Sequence, residues 1–360
     1  MKDGSDNAGI IRVLVADDSA FMRTALTRMV ESDPCLKVVD TAQNGIEALE
    51  KAAKLQPDVV TLDIEMPRLN GLETLKRIMQ ETPRPVIMIS SLTQEGAEIT
   101  FEALDNGAFD YLPKTQSYAS LDIVKIRDDL VAKIKSAAET RWPRTRRVTR
   151  PVLPPSPAPR ESCQLQPALI CIGTSTGGPK ALQQILPRLP ADLSVGIVIV
   201  QHMPAGFTAP FARRLDNLCA IKVREAAAED NIVPGTVYIA PAGWQMTVFR
   251  RSVSQPAIRI SNTPENLLHI PSVDVMMLSA AEAFQGSTMG VIMTGMGADG
   301  AQGMQAIARA GGLTVGQDEA TCAVYGMPRA CAEMGILRRV VPLEQIPQQI
   351  IQATNYRRRS

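Results

Sequence analysis

A serine set between glycines is the first place where this chain could do chemistry. Gly173-Thr174-Ser175-Thr176-Gly177-Gly178 follows the apolar run 168–172 and leads into a helical pattern that begins at Pro179. Strand, tight turn and helix in that order expose a hydroxyl at a strand end, as in a nucleophile elbow. The same turn could instead hold a phosphate on its backbone N–H groups. A serine hydroxyl is a weak nucleophile at neutral pH and needs a base within hydrogen-bond reach. The two histidines of the chain are His202 and His269. His202 follows the apolar run 197–200, so it lies just past a strand end, as Ser175 does; His269 precedes Ile270-Pro271, where no strand is evident. His202 is therefore the expected base. Such a base needs a carboxylate to orient it and to stabilise imidazolium. Asp299, just after the run 291–293, is the candidate, and on its own it could equally cap a helix starting at 301. The order Ser175, His202, Asp299 differs from the Ser, acid, His order of α/β-hydrolases. Neither G-x-x-x-x-G-K-[ST] nor G-x-G-x-x-G occurs at the Ser175 turn, which weakens the phosphate reading.

A second set of residues suits phosphoryl chemistry. Asp17 and Asp18 end one apolar run, Asp63 another and Ser90 a third, and Lys114 lies just past a fourth. Three carboxylates at one sheet edge make a hard-oxygen site fit for Mg²⁺. One carboxylate can attack phosphorus to give an acyl phosphate. Lys114 could then pair with the phosphoryl oxygens and Ser90 could donate to them. Taken singly, Asp17 or Asp18 could be a helix cap and Asp63 a turn residue. Their recurrence at successive strand ends favours a site.

The elements that must position these residues alternate along the chain. In the first part, strands are expected at 11–16, 36–40, 58–62, 85–90 and 109–112. Helices are expected at 19–30, 45–54, 72–80, 97–106 and 121–138. Such alternation implies a doubly wound parallel sheet with active residues at the carboxyl ends of its strands. The second part repeats the scheme, with strands at 168–172, 196–200, 236–240, 289–294 and 313–315. Its helices are expected at 179–189, 273–283, 301–310 and 343–353. A hairpin over 248–260 would make the second sheet mixed.

Between the two parts, composition breaks. Residues 139–166 hold six prolines and six arginines with few aliphatic residues, the composition of a semi-rigid linker. The expected division is a domain over 11–138, a linker over 139–166 and a domain over 167–353. Length supports two cores, since the chain has 360 residues, 45% of them hydrophobic and 21% charged. A net charge of +1 gives no global pull toward nucleic acid or membrane. No apolar run approaches the length of a membrane span. The N-terminus is polar, without a signal-peptide core, so a cytoplasmic protein is expected. The six cysteines are scattered, so free thiols rather than a zinc site are expected. The Arg357-Arg358-Arg359 tail is expected to fray.

Residues 11–138 resemble the response-regulator receiver domain. The match rests on Asp17-Asp18, Leu62-Asp63-Ile64-Glu65-Met66-Pro67, Asn70-Gly71, Ser90, Tyr111 and Lys114. The resemblance implies a flavodoxin-like five-stranded sheet, Asp63 as phosphoacceptor and Mg²⁺ held with the help of Asp17 and Asp18. It also implies Ser90 and Tyr111 as a switch pair, and Lys114 as a phosphate contact. Thr115 stands where the family usually has proline.

Residues 169–336 resemble the catalytic domain of the CheB family of chemotaxis methylesterases. The shared motifs are Ile172 to Gly178, Gln201-His202-Met203-Pro204, Val237-Tyr238-Ile239-Ala240-Pro241, Pro271-Ser272-Val273-Asp274, Gly295 to Gly300 and Gln317-Asp318-Glu319. The family implies Ser175 as nucleophile, His202 as base and Asp299 as its orienter, with an oxyanion hole at the Met296 N–H and Thr176 as a second donor. The segment Pro241-Ala242-Gly243-Trp244-Gln245 departs from the family, which often has Pro-Gly-Gly and a nearby histidine.

The expected function is a phosphorylation-activated serine hydrolase that demethylates glutamate esters, and deamidates glutamines, on chemoreceptors of a bacterial two-component pathway. A chemotaxis histidine kinase is the implied phosphodonor, and the cytoplasmic helices of methylated chemoreceptors are the implied substrate. Mg²⁺ is expected at the receiver and no cofactor for ester hydrolysis. The unphosphorylated receiver would block the catalytic face. The competing reading is a non-catalytic response regulator that binds protein, or nucleic acid through the arginine-rich linker.

Overall fold

The computed structural model describes residues 9–114, 121–139, 166–252, 255–265 and 267–354. The chain divides into two compact units. The segment 140–165, nearly all of the expected linker, and the arginine tail lie outside the described residues.

The first unit alternates β1 (Ile11–Ala16), α1 (Ala20–Val30), β2 (Leu36–Ala42), α2 (Gly45–Leu55), β3 (Val59–Asp63) and α3 (Gly71–Glu81). It continues with β4 (Val86–Ser91), α4 (Gln94–Asp105), β5 (Asp110–Lys114) and α5 (Leu121–Glu139). The strands form one parallel sheet in the order β2-β1-β3-β4-β5. β3 is buried at every position, the pattern of a strand covered on both faces by crossover helices. Polar caps start the helices. Ser19, Asn44, Asn70 and Thr93 each accept a hydrogen bond from the N–H three residues on. The strands therefore all run the same way, and β1, β3, β4 and β5 deliver Asp17, Asp63, Ser90 and Lys114 to one edge.

The second unit runs β6 (Leu169–Thr174), α6 (Gly178–Ile185), β7 (Gly196–Gln201), α7 (Thr208–Leu218), β8 (Lys222–Glu225) and β9 (Thr236–Ile239). Then come β10 (Gln245–Ser252), β11 (Gln255–Ser261), α8 (Val273–Phe284), β12 (Thr288–Ile292), α9 (Ala301–Arg309), β13 (Leu313–Gln317), α10 (Met327–Glu333), β14 (Arg339–Val341) and α11 (Ile346–Ala353). Seven strands form a parallel sheet in the order β14-β13-β12-β6-β7-β9-β8. The expected hairpin is present as β10–β11 and forms a separate two-stranded antiparallel sheet, with one further isolated bridge from Ala257 to Asn231. It does not make the main sheet mixed. The short strands β8 and β14 close the two edges of that sheet and were not among the sequence candidates.

The strand order gives the unit its crevice. From β6 the chain passes to β7, then to β8 at the edge and back to β9 between them, and later enters β12 on the other side of β6 and proceeds outward through β13 and β14. The order reverses between β6 and β12, the kind of switch point at which α/β sheets bind ligands, outside the carboxyl ends of their strands.

Candidate functional site

Ser175 follows β6, His202 follows β7, and Asp299 lies in the loop between β12 and α9. These are three adjacent strands at the switch point. Thr174 and Gln201 are register partners across β6 and β7, so the next residues, Ser175 and His202, leave the sheet side by side. The His202 N–H donates to the Thr174 carbonyl at 3.1 Å. The buried Gln201 amide donates to both the Ser175 carbonyl (3.0 Å) and the His202 carbonyl (2.9 Å), tying the two backbones together.

His202 Nε2 lies 2.8 Å from Asp299 Oδ2, with both side chains only 10% exposed. The Asp299 carboxylate is fixed further by the start of α8. Its Oδ1 accepts from Ser272 Oγ at 2.8 Å and the Asp274 N–H at 3.0 Å, and its Oδ2 accepts from the Val273 N–H at 2.7 Å. A helix N-terminus stabilises a carboxylate through its free N–H groups and its dipole. Burial alone would raise the carboxyl of Asp299, but the bond and charge of His202 and these N–H donors bring it down to about 2. The alternative reading of Asp299 as the cap of α9 is not what occurs. The N-cap of α9 is Gly300, in the left-handed region at φ 97°, and the helix has no side-chain cap. Asp299 serves the N-terminus of α8 instead, where Ser272 is the N-cap.

An ionised Asp299 on Nε2 requires the proton there, which leaves Nδ1 as the lone-pair nitrogen. Nδ1 is buried and has no hydrogen-bond partner, so the Ser175 hydroxyl is not bonded to it in this structure. Catalytic hydrogen bonds commonly tighten only when substrate is bound. The Ser175 backbone is anchored by its N–H to the Thr294 carbonyl (3.0 Å). Glycine is required opposite it, since a Cβ on Gly295 would stand 2.9 Å from the Ser175 Cβ and 2.2 Å from Met327 Sδ. Among the described residues, neither the Thr176 N–H nor the Met296 N–H donates to a protein acceptor.

At the first unit's sheet edge, single carboxylate oxygens of Asp17, Asp18 and Asp63 lie within 4.8 Å of one another. Lys114 Nζ sits 2.6 Å from Asp63 Oδ2 and 3.3 Å from Asp17 Oδ2. Asp17 Oδ2 is nevertheless buried without hydrogen-bond geometry to any donor. Burial pushes Asp63 up to about 6, partly offset by its bond to Lys114 and increased by the charge of Asp17. Burial likewise raises Asp17 against the pull of Lys114. Burial would lower Lys114, yet its two carboxylate partners carry it above its ordinary value. A crowded set of hard oxygens, one of them lacking a donor, fits a divalent cation such as Mg²⁺.

Ser90 is not part of that cluster's hydrogen bonding. Its buried hydroxyl accepts from Thr100 Oγ1 at 2.7 Å and faces the Gly96 carbonyl at 3.2 Å, so it is turned toward α4. Tyr111 pairs with Met88 across β4 and β5, which puts it on the same sheet face as Ser90. Its ring is buried beneath the Lys133 ammonium, 5.4 Å from the centroid.

Sequence reasoning missed several residues here. His269, set aside as a base, stacks on His202 with centroids 4.0 Å apart and planes at 14°. Gln245, in the segment that departs from the family, is buried, and its Oε1 accepts from the Ser272 N–H at 2.9 Å. Ser272 lay in a shared motif, and the local signal for its capping role was a serine directly ahead of an apolar helical run.

Comparison with known proteins bears on both sites. The CheB methylesterase family matches residues 170–350, and the response regulator receiver domain family matches residues 13–124. A relative from Oleidesulfovibrio alaskensis, named protein-glutamate methylesterase/protein-glutamine glutaminase 1, is 47% identical over 96% of this chain and 99% of its own length. A relative of the same name, without the numeral, from Pyrococcus abyssi is 47% identical over 95% and 93%. The crystal structure of the Thermotoga maritima CheB methylesterase catalytic domain is 36% identical, covering 52% of this chain and 99% of that one, with a TM-score of 0.50.

Proposed function

We propose, given that this chain belongs to the CheB methylesterase family and carries a response regulator receiver domain, that it is a phosphorylation-activated protein-glutamate methylesterase and protein-glutamine glutaminase. Its substrates are chemoreceptors, its phosphodonor is a chemotaxis histidine kinase, and it acts in the cytoplasm. The observation that carries the catalytic reading is the 2.8 Å contact of His202 with an Asp299 held ionised at the N-terminus of α8, one strand end from Ser175.

In this reading Ser175 Oγ attacks the carbonyl carbon of the glutamate methyl ester while Nδ1 of His202 takes the hydroxyl proton. Asp299 stabilises the imidazolium that forms, through Nε2. The oxyanion is received by the N–H groups of Thr176 and Met296, an interaction worth about 3–4 kcal/mol per donor in comparable hydrolases. Collapse expels methanol, which takes the proton from His202, and leaves a glutamyl ester on Ser175. Water then attacks that ester as His202 again accepts a proton, which it returns to the departing Ser175 oxygen, leaving a glutamate side chain on the receptor and the Ser175 hydroxyl restored. A glutamine side chain follows the same route with ammonia as the leaving group.

In the receiver, Asp63 accepts the phosphoryl group and Lys114 pairs with its oxygens. Asp17, Asp18 and Asp63 would hold Mg²⁺, which neutralises phosphoryl charge when bound. Ser90 reaches the new phosphoryl group only by releasing Gly96 and Thr100, and that release, with Tyr111 on the same sheet face, is the switch. Methanol release from membranes bearing methylated chemoreceptors, with and without acetyl phosphate, tests the proposal. Release stimulated by acetyl phosphate is expected. No release in its presence would contradict the reading.

A further inference from the structure

The imidazole of His202 is held by a hydrogen bond at only one edge. Nε2 meets Asp299, whereas Nδ1 has no partner. The terminal torsion of a histidine is broad, and Nε2 lies nearer the Cβ–Cγ axis than Nδ1 does, so a single bond at Nε2 only weakly resists rocking of the ring about that axis. Rocking would change the direction in which Nδ1 points, and no bond on that edge resists it. The ring face is where resistance exists. His269 lies flat against it, with centroids 4.0 Å apart and planes 14° from parallel. Rotation of either ring alone would drive an edge into its neighbour.

We propose that His269 is a positioning residue for the esterase and glutaminase reactions, acting as a flat brace that sets the plane of the base. This rests on the reading of Ser175, His202 and Asp299 given above. The brace and the carboxylate clamp belong to one continuous segment. His269 covers the face of His202, and Ser272, Val273 and Asp274 bind Asp299. Between them the Ile270 carbonyl accepts from the Gly243 N–H at 3.1 Å, and the Ser272 N–H is held by the buried Gln245. Residues 269–274 thus fix both the direction and the plane of the imidazole. Leu268, the preceding residue, is 77% exposed, so the segment that carries the brace reaches the protein surface.

The test uses the full-length protein with His269→Ala, His269→Leu and His269→Phe, each checked by circular dichroism and thermal melting. If a flat face is what matters, Ala and Leu lower kcat by about tenfold to hundredfold. KM stays within about twofold, because the loss falls on the chemical step. Phe, which keeps a ring and loses the nitrogens, returns kcat to within about threefold of wild type. An NMR readout is available because the chain has only two histidines. In each variant a single imidazole remains, that of His202, and its ring protons should keep an upfield stacking shift in Phe and lose it in Ala and Leu. A folded Ala or Leu variant with wild-type kcat would overturn the proposal. So would a folded Phe variant as impaired as Ala. Ser175→Ala in the same assay separates the two levels: full activity there would remove the catalytic reading itself, whatever His269 does.

Discussion

The carboxylate of Asp299 closes the N-terminus of α8 and holds the His202 imidazole with the same oxygen. Its Oδ2 accepts both the Val273 N–H, at 2.7 Å, and His202 Nε2, at 2.8 Å. Fold and site are therefore coupled at one atom, and a change there should register in both.

Asp299→Asn keeps the shape and removes the charge. The amide no longer enforces a proton on Nε2, so the imidazole loses its defined tautomer. A drop in kcat of about 10²- to 10⁴-fold is expected by comparison with triads of this type. Stability should fall by about 1–2 kcal/mol, as the start of α8 loses its anionic partner. Steady-state kinetics and urea denaturation measure the two effects. A variant that loses activity with no change in stability would contradict the coupling.

The two carboxylate sites should respond to pH in opposite senses. The pKa of Asp299 falls from 3.8 to about 2 on folding. It therefore stabilises the second unit above about pH 4, and that stabilisation, about 2 kcal/mol, is lost as pH drops toward 2. Asp63 rises from 3.8 to about 6. Its contribution is favourable when it is protonated, below about pH 4, and disappears as pH rises through 6. At pH 7.5, Asp63→Asn should slow amide exchange in β1 and β3 relative to wild type, and the difference should shrink below pH 5. Added Mg²⁺ should protect the same strands in wild type more than in the variant.

Gly178→Ala tests the Gln201 bridge beneath Ser175. A Cβ there would stand 2.0 Å from Gln201 Oε1 and 2.5 Å from Thr174 Oγ1. Gln201 must move, which breaks its bonds to the Ser175 and His202 carbonyls. A loss of about tenfold or more in kcat is expected from displacement of the pair, along with destabilisation of about 1–3 kcal/mol from overpacking. Gln201→Ala should lose activity to a similar degree.

Phosphorylation should act through Asp63 alone. Acetyl phosphate is expected to raise the methanol-release rate of wild type and to leave Asp63→Asn unchanged. Lys114→Met, which removes the cation 2.6 Å from Asp63, should weaken the stimulation while the basal rate remains. Equal stimulation of wild type and Asp63→Asn would contradict the assignment.

Much of this was legible in the sequence because it depends on strand ends. Asp17, Asp63, Ser175, His202 and Asp299 all follow apolar runs, and parallel sheets collect such positions at one edge. The supporting residues were harder to see. Gln201 is the last residue of an apolar strand, and nothing local marks its amide as a bridge. His269 lies in a segment without regular structure, so its contact with His202 depends on tertiary folding alone. β8 and β14, with four and three residues, are too short to show periodicity. The run 295–300 spells G-x-G-x-x-G between β12 and α9, a pattern that alone would suggest dinucleotide binding. Here its fifth residue is Asp299, whose carboxylate is turned to α8 and His202.

The central claim is that Ser175 and His202 work as one unit. The most direct measurement is methanol release from methylated receptor membranes by Ser175→Ala, His202→Ala and the double variant, each fully folded. Residues of one nucleophilic pair lose activity together, so all three should fall by about 10³-fold or more, and to nearly the same residual rate. A Ser175→Ala variant that releases methanol at the wild-type rate would contradict the account.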